Sequence, residues 1–194
     1  RGEGRRSQPL HATQPALIRR VVSLCDYTGE WCRPYREAGY DVVQVDLKRG
    51  GDVRLLPHLG EVHGVLAAPP CTMFANSGAR WTRSEVQMLE ALSIVDACLR
   101  VVALARPEWW ALENPIGKLR RWLGQPALMF DPCDYGDPYT KRTCLWGRFA
   151  VPKPQPVEPT EGSKMHLLPP SPDRAALRSV TPAGFARAFF EANP

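Results

Sequence analysis

Four short apolar runs, each cut off by a polar or proline-bearing loop, constrain this 194-residue chain more than any other feature. Ala16 to Leu24 is followed by Cys25-Asp26-Tyr27-Thr28-Gly29-Glu30 and a predicted helix to Ala38. Asp41 to Asp46 repeats the pattern with a carboxylate at its end, Val62 to Ala68 stops at Pro69-Pro70-Cys71, and Trp109 to Leu112 stops at Glu113-Asn114-Pro115. Such β-branched runs between turn residues read as strands, and no sheet strand continues through two prolines. With Gly39 closing the first helix, the opening unit is βαβ. The expected fold is α/β, a Rossmann-like, mostly parallel sheet flanked by helices. In open α/β sheets the ligand crevice lies beyond the carboxyl ends of the strands. The clusters at 26–31, 69–71 and 113–115 are therefore expected to converge on one site.

Between the third and fourth runs, Ser84-Glu85-Val86-Gln87 has capping-box spacing. Val86, Leu89, Leu92, Val95, Leu99 and Val102 then recur at three and four residues, predicting an amphipathic helix to about Ala105. Seven of the 20 prolines fall in residues 151–172, which predicts an extended connector. After it, Thr181-Pro182 supplies an N-cap and first-turn pair for a last helix carrying Phe185, Ala188 and Phe189. The length suits one domain with a real core. The division expected is a basic arm over 1–15, a catalytic domain over 16–149, a proline-rich connector over 150–180, and a helix over 181–194 packing back on that domain.

The 44% hydrophobic and 23% charged content is that of an ordinary globular chain. No stretch approaches the ~18 apolar residues of a membrane span, and the first residues lack the apolar centre of a signal peptide. Six cysteines occur without a CxxC pair, so neither a zinc site nor a disulfide framework is signalled. A cytoplasmic protein with reduced thiols and no membrane partner is expected. Residues 1–20 hold five arginines against Glu3, whereas the remainder holds 20 basic and 19 acidic residues. That arm reads equally as a phosphate contact or as a solvated tail.

The first loop has one glycine where a dinucleotide fingerprint requires three, which excludes a pyrophosphate cradle of that kind. Asp26, with the amides around Thr28 and Gly29, suits a charged amino-acid moiety, and Asp46 suits ribose hydroxyls. A lone cysteine is most often an inert buried thiol, but Cys71 follows two prolines at a strand end, where a loop thiol is exposed enough to ionise. Glu113, after Trp109-Trp110-Ala111-Leu112, is expected to be desolvated and able to donate a proton. Lys118, Arg120 and Arg121 beside Trp122 read either as a phosphate path or as one solvated helix face.

In this order the clusters resemble the cytosine-5 DNA methyltransferase family, over roughly residues 20–149 with a shorter echo at 180–192. Pro69-Pro70-Cys71 matches the family's nucleophile loop, and Glu113-Asn114-Pro115 its Glu-Asn-(Val or Pro) motif. Asp134-Tyr135-Gly136-Asp137-Pro138-Tyr139-Thr140-Lys141-Arg142 is similar to its Asp-Tyr-Gly-x-Pro-Gln-x-Arg-x-Arg stretch, with one residue inserted, no glutamine, and Cys144 where the second arginine falls. Thr72 replaces the glutamine that usually follows the nucleophile.

The resemblance implies S-adenosylmethionine as cofactor, held by Asp26, Tyr27, Thr28, Gly29, Trp31, Asp46, Leu47, Asp52 and Pro70. It implies catalysis by Cys71, Glu113 and Arg142, with Asn114, Lys118 and Lys141 on the substrate side and no metal. Cys71 would add to carbon 6 of cytosine while Glu113 bonds ring nitrogen 3 and the exocyclic amine. The implied substrate is DNA, its cytosine flipped out of any duplex. RNA methylation by the same chemistry and a non-catalytic nucleic-acid-binding relative are the alternatives. Residues 150–180 stand where relatives carry a target-recognition domain, as in a compact enzyme of a phage or mobile element.

Overall fold

The computed structural model describes residues 18–76 and 82–194. The basic arm expected over 1–15 and the first two residues of the first apolar run lie outside them. The strands are β1 (Arg20–Leu24), β2 (Asp41–Val45), β3 (Gly64–Ala67), β4 (Trp109–Pro115), β5 (Leu128–Phe130) and β6 (Thr143–Arg148). They form one sheet in the order β2-β1-β3-β4-β6-β5. The first four strands run parallel, and β6 is antiparallel to both β4 and β5.

The helices are α1 (Arg33–Glu37), α2 (Glu85–Ala105), α3 (Arg120–Leu123), α4 (Lys164–Leu167), α5 (Arg174–Ser179) and α6 (Ala183–Ala192). On one face of the sheet Val22, Leu24, Val65, Ala67, Leu112 and Trp146 pack with Val95, Cys98 and Val101 of α2. On the other, Val21, Leu66, Ala111 and Leu145 pack with Tyr35 of α1 and Phe185 and Phe189 of α6. Covering both faces explains why the strands read as continuous apolar runs without alternation.

The capping box of α2 forms as expected: the Gln87 amide donates to the Ser84 hydroxyl and the Gln87 side chain accepts from the Ser84 amide. The apolar stripe is only half used, since Val86 and Leu89 are exposed. A helix of 21 residues is about 32 Å long, more than the sheet is tall, so its first turns project past the strands. β4 runs three residues beyond its expected end at Leu112, because Glu113, Asn114 and Pro115 pair with Leu145, Cys144 and Thr143 of the antiparallel β6.

The stretch expected as a bare connector is more ordered than its prolines imply. The amides of Gln155 and Val157 donate to the carbonyls of Asp134 and Cys133, Glu161 donates to Pro138, and α4 and α5 follow. The final helix packs back on the sheet as expected, with Trp31 edge-on to Phe189 at 5.7 Å. Its cap differs: Pro182, not Thr181, stands at the N-cap, and the Asp137 carboxylate of the β5–β6 loop accepts from the Gly184 amide at 2.9 Å. Among the described residues no helix is long and apolar enough to cross a membrane.

Close approach explains two glycines. A Cβ on Gly64 would lie 2.0 Å from the Trp109 ring, and one on Gly184 would lie 1.9 Å from the Tyr135 carbonyl oxygen. Because backbone cannot give way as a flexible side chain can, Gly184→Ala is expected to lower unfolding stability by about 1–3 kcal/mol. Denaturant titration checks this, and an unchanged midpoint would contradict the tight seat of α6.

Candidate active site

Leu24, Ala67 and Leu112 stand side by side at the carboxyl ends of β1, β3 and β4, with Val45 beside Leu24 on β2. The residues that follow each strand therefore enter one crevice, at the point between β1 and β3 where strand order reverses. The crevice contains a cavity of about 290 Å³. Asp26, Tyr27 and Thr28 line it from β1, Asp46, Leu47 and Asp52 from β2, Pro70 and Cys71 from β3, Glu113 from β4, and Lys141 from the β5–β6 loop. A second cavity of about 330 Å³ adjoins it, sharing Cys71, Pro115, Lys141 and Arg178 and adding Asp131, Thr140 and Arg142.

The first wall is a self-supporting turn. The Asp26 carboxylate accepts from the Ser23 hydroxyl and the Gly29 amide at 2.9 Å each, and from the Thr28 hydroxyl at 3.3 Å. Much of its hydrogen-bonding capacity is thus spent on shaping the loop. Gly29, at φ 73°, carries the left-handed turn, and the Gln44 side-chain amide donates to the carbonyls of Asp26 and Tyr27. Two expected cofactor contacts move accordingly: Gly29 does not line the cavity, and Trp31 is fully buried between Phe185 and Phe189 on the opposite face of the sheet.

The second wall is two short caps. Asp46 accepts the Lys48 amide at 2.8 Å, and Asp52 accepts the Arg54 amide at 2.9 Å and its guanidinium at 2.7 Å. That guanidinium holds the Asp52 carboxyl below the usual carboxylate range. Arg100 of α2 anchors the turn from below by donating to the carbonyls of Val53, Arg54 and Leu56. Tyr27 stands at the rim with Lys48 Nζ 4.9 Å above its ring.

The third wall carries Cys71 and Glu113. The Cys71 carbonyl accepts from the amides of Phe74 and Ala75, turning the chain back after the prolines. Asn114, expected to meet substrate, is fully buried and donates its side-chain amide to the Pro69 carbonyl at 2.8 Å, so it braces the loop from beneath. Lys118 also falls outside the crevice: its side chain lines neither cavity, while its backbone amide donates to the Phe74 carbonyl at 2.7 Å. Arg142 lines only the second cavity and pairs with Asp131 at 3.0 Å.

This fold has a counterpart among solved structures. A crystal structure of a candidate DNA modification methyltransferase encoded within an Escherichia coli prophage superposes with a TM-score of 0.52 at 16% sequence identity. The match covers 72% of this chain and 53% of that one, so this chain spans about half the length of its counterpart. No family model and no curated protein matches the sequence. At that identity the likeness is one of fold.

Sequence reasoning missed α5, whose Ala175, Ala176, Arg178 and Ser179 close the cavity from above. The one available signal was the helix-favouring run Arg174-Ala175-Ala176-Leu177-Arg178, which the surrounding prolines masked. It also missed Cys25, whose backbone adopts φ 57° at the cavity edge.

Burial works against charge on the two groups of the third wall. Burial pushes the Glu113 carboxyl above its ordinary value, partly offset by Lys141. Its Oε1 is buried without a hydrogen-bond partner among the described residues. Burial and the neighbouring Glu113 also push the Cys71 thiol up, against Lys141 and Arg178, which pull it down. Both groups thus hold their protons more tightly than they would in water.

A carboxyl whose folded pKa exceeds its unfolded value holds its proton in the folded state after the unfolded chain has released it. The stability it contributes is full below the unfolded value and is lost as pH rises through the folded one. Glu113→Gln removes this loss. Relative to the parent, that variant is expected to gain stability as pH rises through and above the ordinary carboxyl range. Paired melting curves across that range check it, and a pH-independent difference would contradict the buried carboxyl.

Proposed function

We propose that this chain is an S-adenosylmethionine-dependent methyltransferase that modifies carbon 5 of cytosine in DNA through a covalent adduct with Cys71. The observation that carries the reading is the meeting of Cys71 and Glu113 in one strand-end cavity, with the Glu113 Oε1 buried and without a partner among the described residues. The fold shared with the prophage-encoded structure supports the broader assignment to methyl transfer and to DNA as substrate.

The donor set suits the cofactor. Carboxylates from Asp26, Asp46 and Asp52 line the cavity, a charge that favours a cationic sulfonium amino acid and disfavours a pyrophosphate. Asp46 and Asp52 would accept from ribose hydroxyls, while Val45, Val53, Ile94 and Pro70 offer apolar surface to an adenine face. When bound, the cofactor supplies an electrophilic methyl group on sulfur.

The chain's own residues then have defined tasks. Deprotonated Cys71 Sγ bonds carbon 6 of the ring, and the 5,6 electron pair moves toward carbon 5 and nitrogen 3. Glu113, whose burial raises its affinity for a proton, donates to nitrogen 3 as charge builds there, and its second oxygen accepts from the exocyclic amine. After carbon 5 is methylated, loss of its proton to base re-forms the 5,6 double bond and expels Sγ. Cytosine must leave any duplex stack to reach Cys71, at a cost of a few kcal/mol.

Cys71→Ser is expected to abolish methyl transfer to DNA while keeping cofactor affinity within a few-fold of the parent. Transfer of radiolabel from S-adenosylmethionine, followed by nucleoside digestion, checks this; full activity would remove the nucleophile. Asp46→Ala is expected to weaken cofactor binding about tenfold or more, since a hydrogen bond to a charged group contributes about 1.5–3 kcal/mol. Calorimetry showing equal affinity would refute the ribose contact.

A further inference from the structure

We infer that Arg178, on α5, is the cation that receives the carbonyl oxygen of the target pyrimidine, rather than Arg142, the arginine that the family resemblance marks as catalytic. The inference rests on the cytosine-5 reading above.

The two cavities of the crevice meet at Cys71, Pro115, Lys141 and Arg178, which line both. A base attacked by Cys71 lies at this junction, with the strand-end cavity on one side and the outer cavity on the other. Arg178 is therefore at the reacting centre, whereas Arg142 lines the outer cavity alone. The Arg142 guanidinium is engaged by Asp131 at 3.0 Å, and the same carboxylate accepts the Lys141 amide at 2.9 Å. Arg142 and Asp131 together form the frame of the β5–β6 loop.

The charges felt at the Cys71 thiol agree with that placement: Lys141 and Arg178 act on it, while Arg142 acts on Cys144. Lys141 also acts on Glu113. When Sγ adds to carbon 6, negative charge spreads from carbon 5 through nitrogen 3 to the ring's carbonyl oxygen. A protonated Glu113 meets it at nitrogen 3, and a planar guanidinium with several donors suits the oxygen. The small side chains of Ala175 and Ala176 on α5 line the cavity beside Arg178 and leave the base room to approach. The proline-rich segment thus contributes a catalytic residue.

The test uses the full chain with S-adenosylmethionine and cytosine-containing double- and single-stranded DNA. Loss of one preorganised donor at a developing oxyanion lowers kcat by about 10²–10³. Arg178→Ala is expected to show that loss in kcat with little change in KM, Arg178→Lys to recover part of it, and Arg142→Ala to lose less than Arg178→Ala. Iodoacetamide alkylation of Cys71, read by peptide mass, should shift to higher pH in Arg178→Ala and stay at the parental pH in Arg142→Ala. If Cys71 is required for transfer yet Arg178→Ala keeps both kcat and the alkylation profile, or Arg142→Ala costs more, this inference falls while the reaction stands. Methyl transfer that survives Cys71→Ser would instead overturn the reading beneath it.

Discussion

A buried hydrogen bond, from the Asn114 side-chain amide to the Pro69 carbonyl at 2.8 Å, ties the strand that carries Glu113 to the loop that carries Cys71. Consecutive prolines deprive the Cys71 loop of two backbone donors, so a sheet ladder cannot anchor it. Its carbonyl can still accept, and Asn114 reaches it from β4 because the antiparallel β6 prolongs that strand to Pro115. Glu113 is the preceding residue on the same strand. Moving Asn114 moves the acid and the thiol together, which makes this bond the joint of the site.

The same burial that keeps the joint dry governs the electrostatics. Glu113 and Cys71 both resist ionisation, first because they are desolvated and then because a charge on Glu113 would oppose one on the thiol. Two cations offset this from separate parts of the chain: Lys141 from the β5–β6 loop and Arg178 from α5. The third wall thus disfavours charge on Glu113 and Cys71, while oriented cations stand where such charge would develop.

Much of this was legible in the sequence because punctuation residues are local signals. Pro69-Pro70 and Asp46 end strands by their own backbone or cap chemistry, and the Ser84–Gln87 box starts α2 by contacts within four residues. What stayed hidden depends on distant partners. Asn114 resembles a substrate-facing amide until the Pro69 carbonyl is seen beneath it, and Trp31 resembles a loop aromatic until α6 covers it. The Asp137 cap of α6 joins residues 47 apart. Arg178 was hidden by composition, since prolines around α5 outweighed its helix-forming run. The resemblance led to Arg142, whereas the cations that act on the thiol are Lys141 beside it and Arg178 from α5.

The central claim is a covalent bond between Cys71 and carbon 6 of cytosine, and DNA carrying 5-fluorocytosine tests it most directly. Fluorine at carbon 5 cannot leave as a proton does, so after methylation the 5,6 double bond cannot re-form and Sγ cannot depart. With S-adenosylmethionine present, mass spectrometry of the intact complex and its peptides is expected to find methylated fluorocytosine attached at Cys71. Methylation of the unmodified DNA by the same preparation, with no adduct on the fluorinated strand or with the methyl group on an exocyclic nitrogen, would contradict the account.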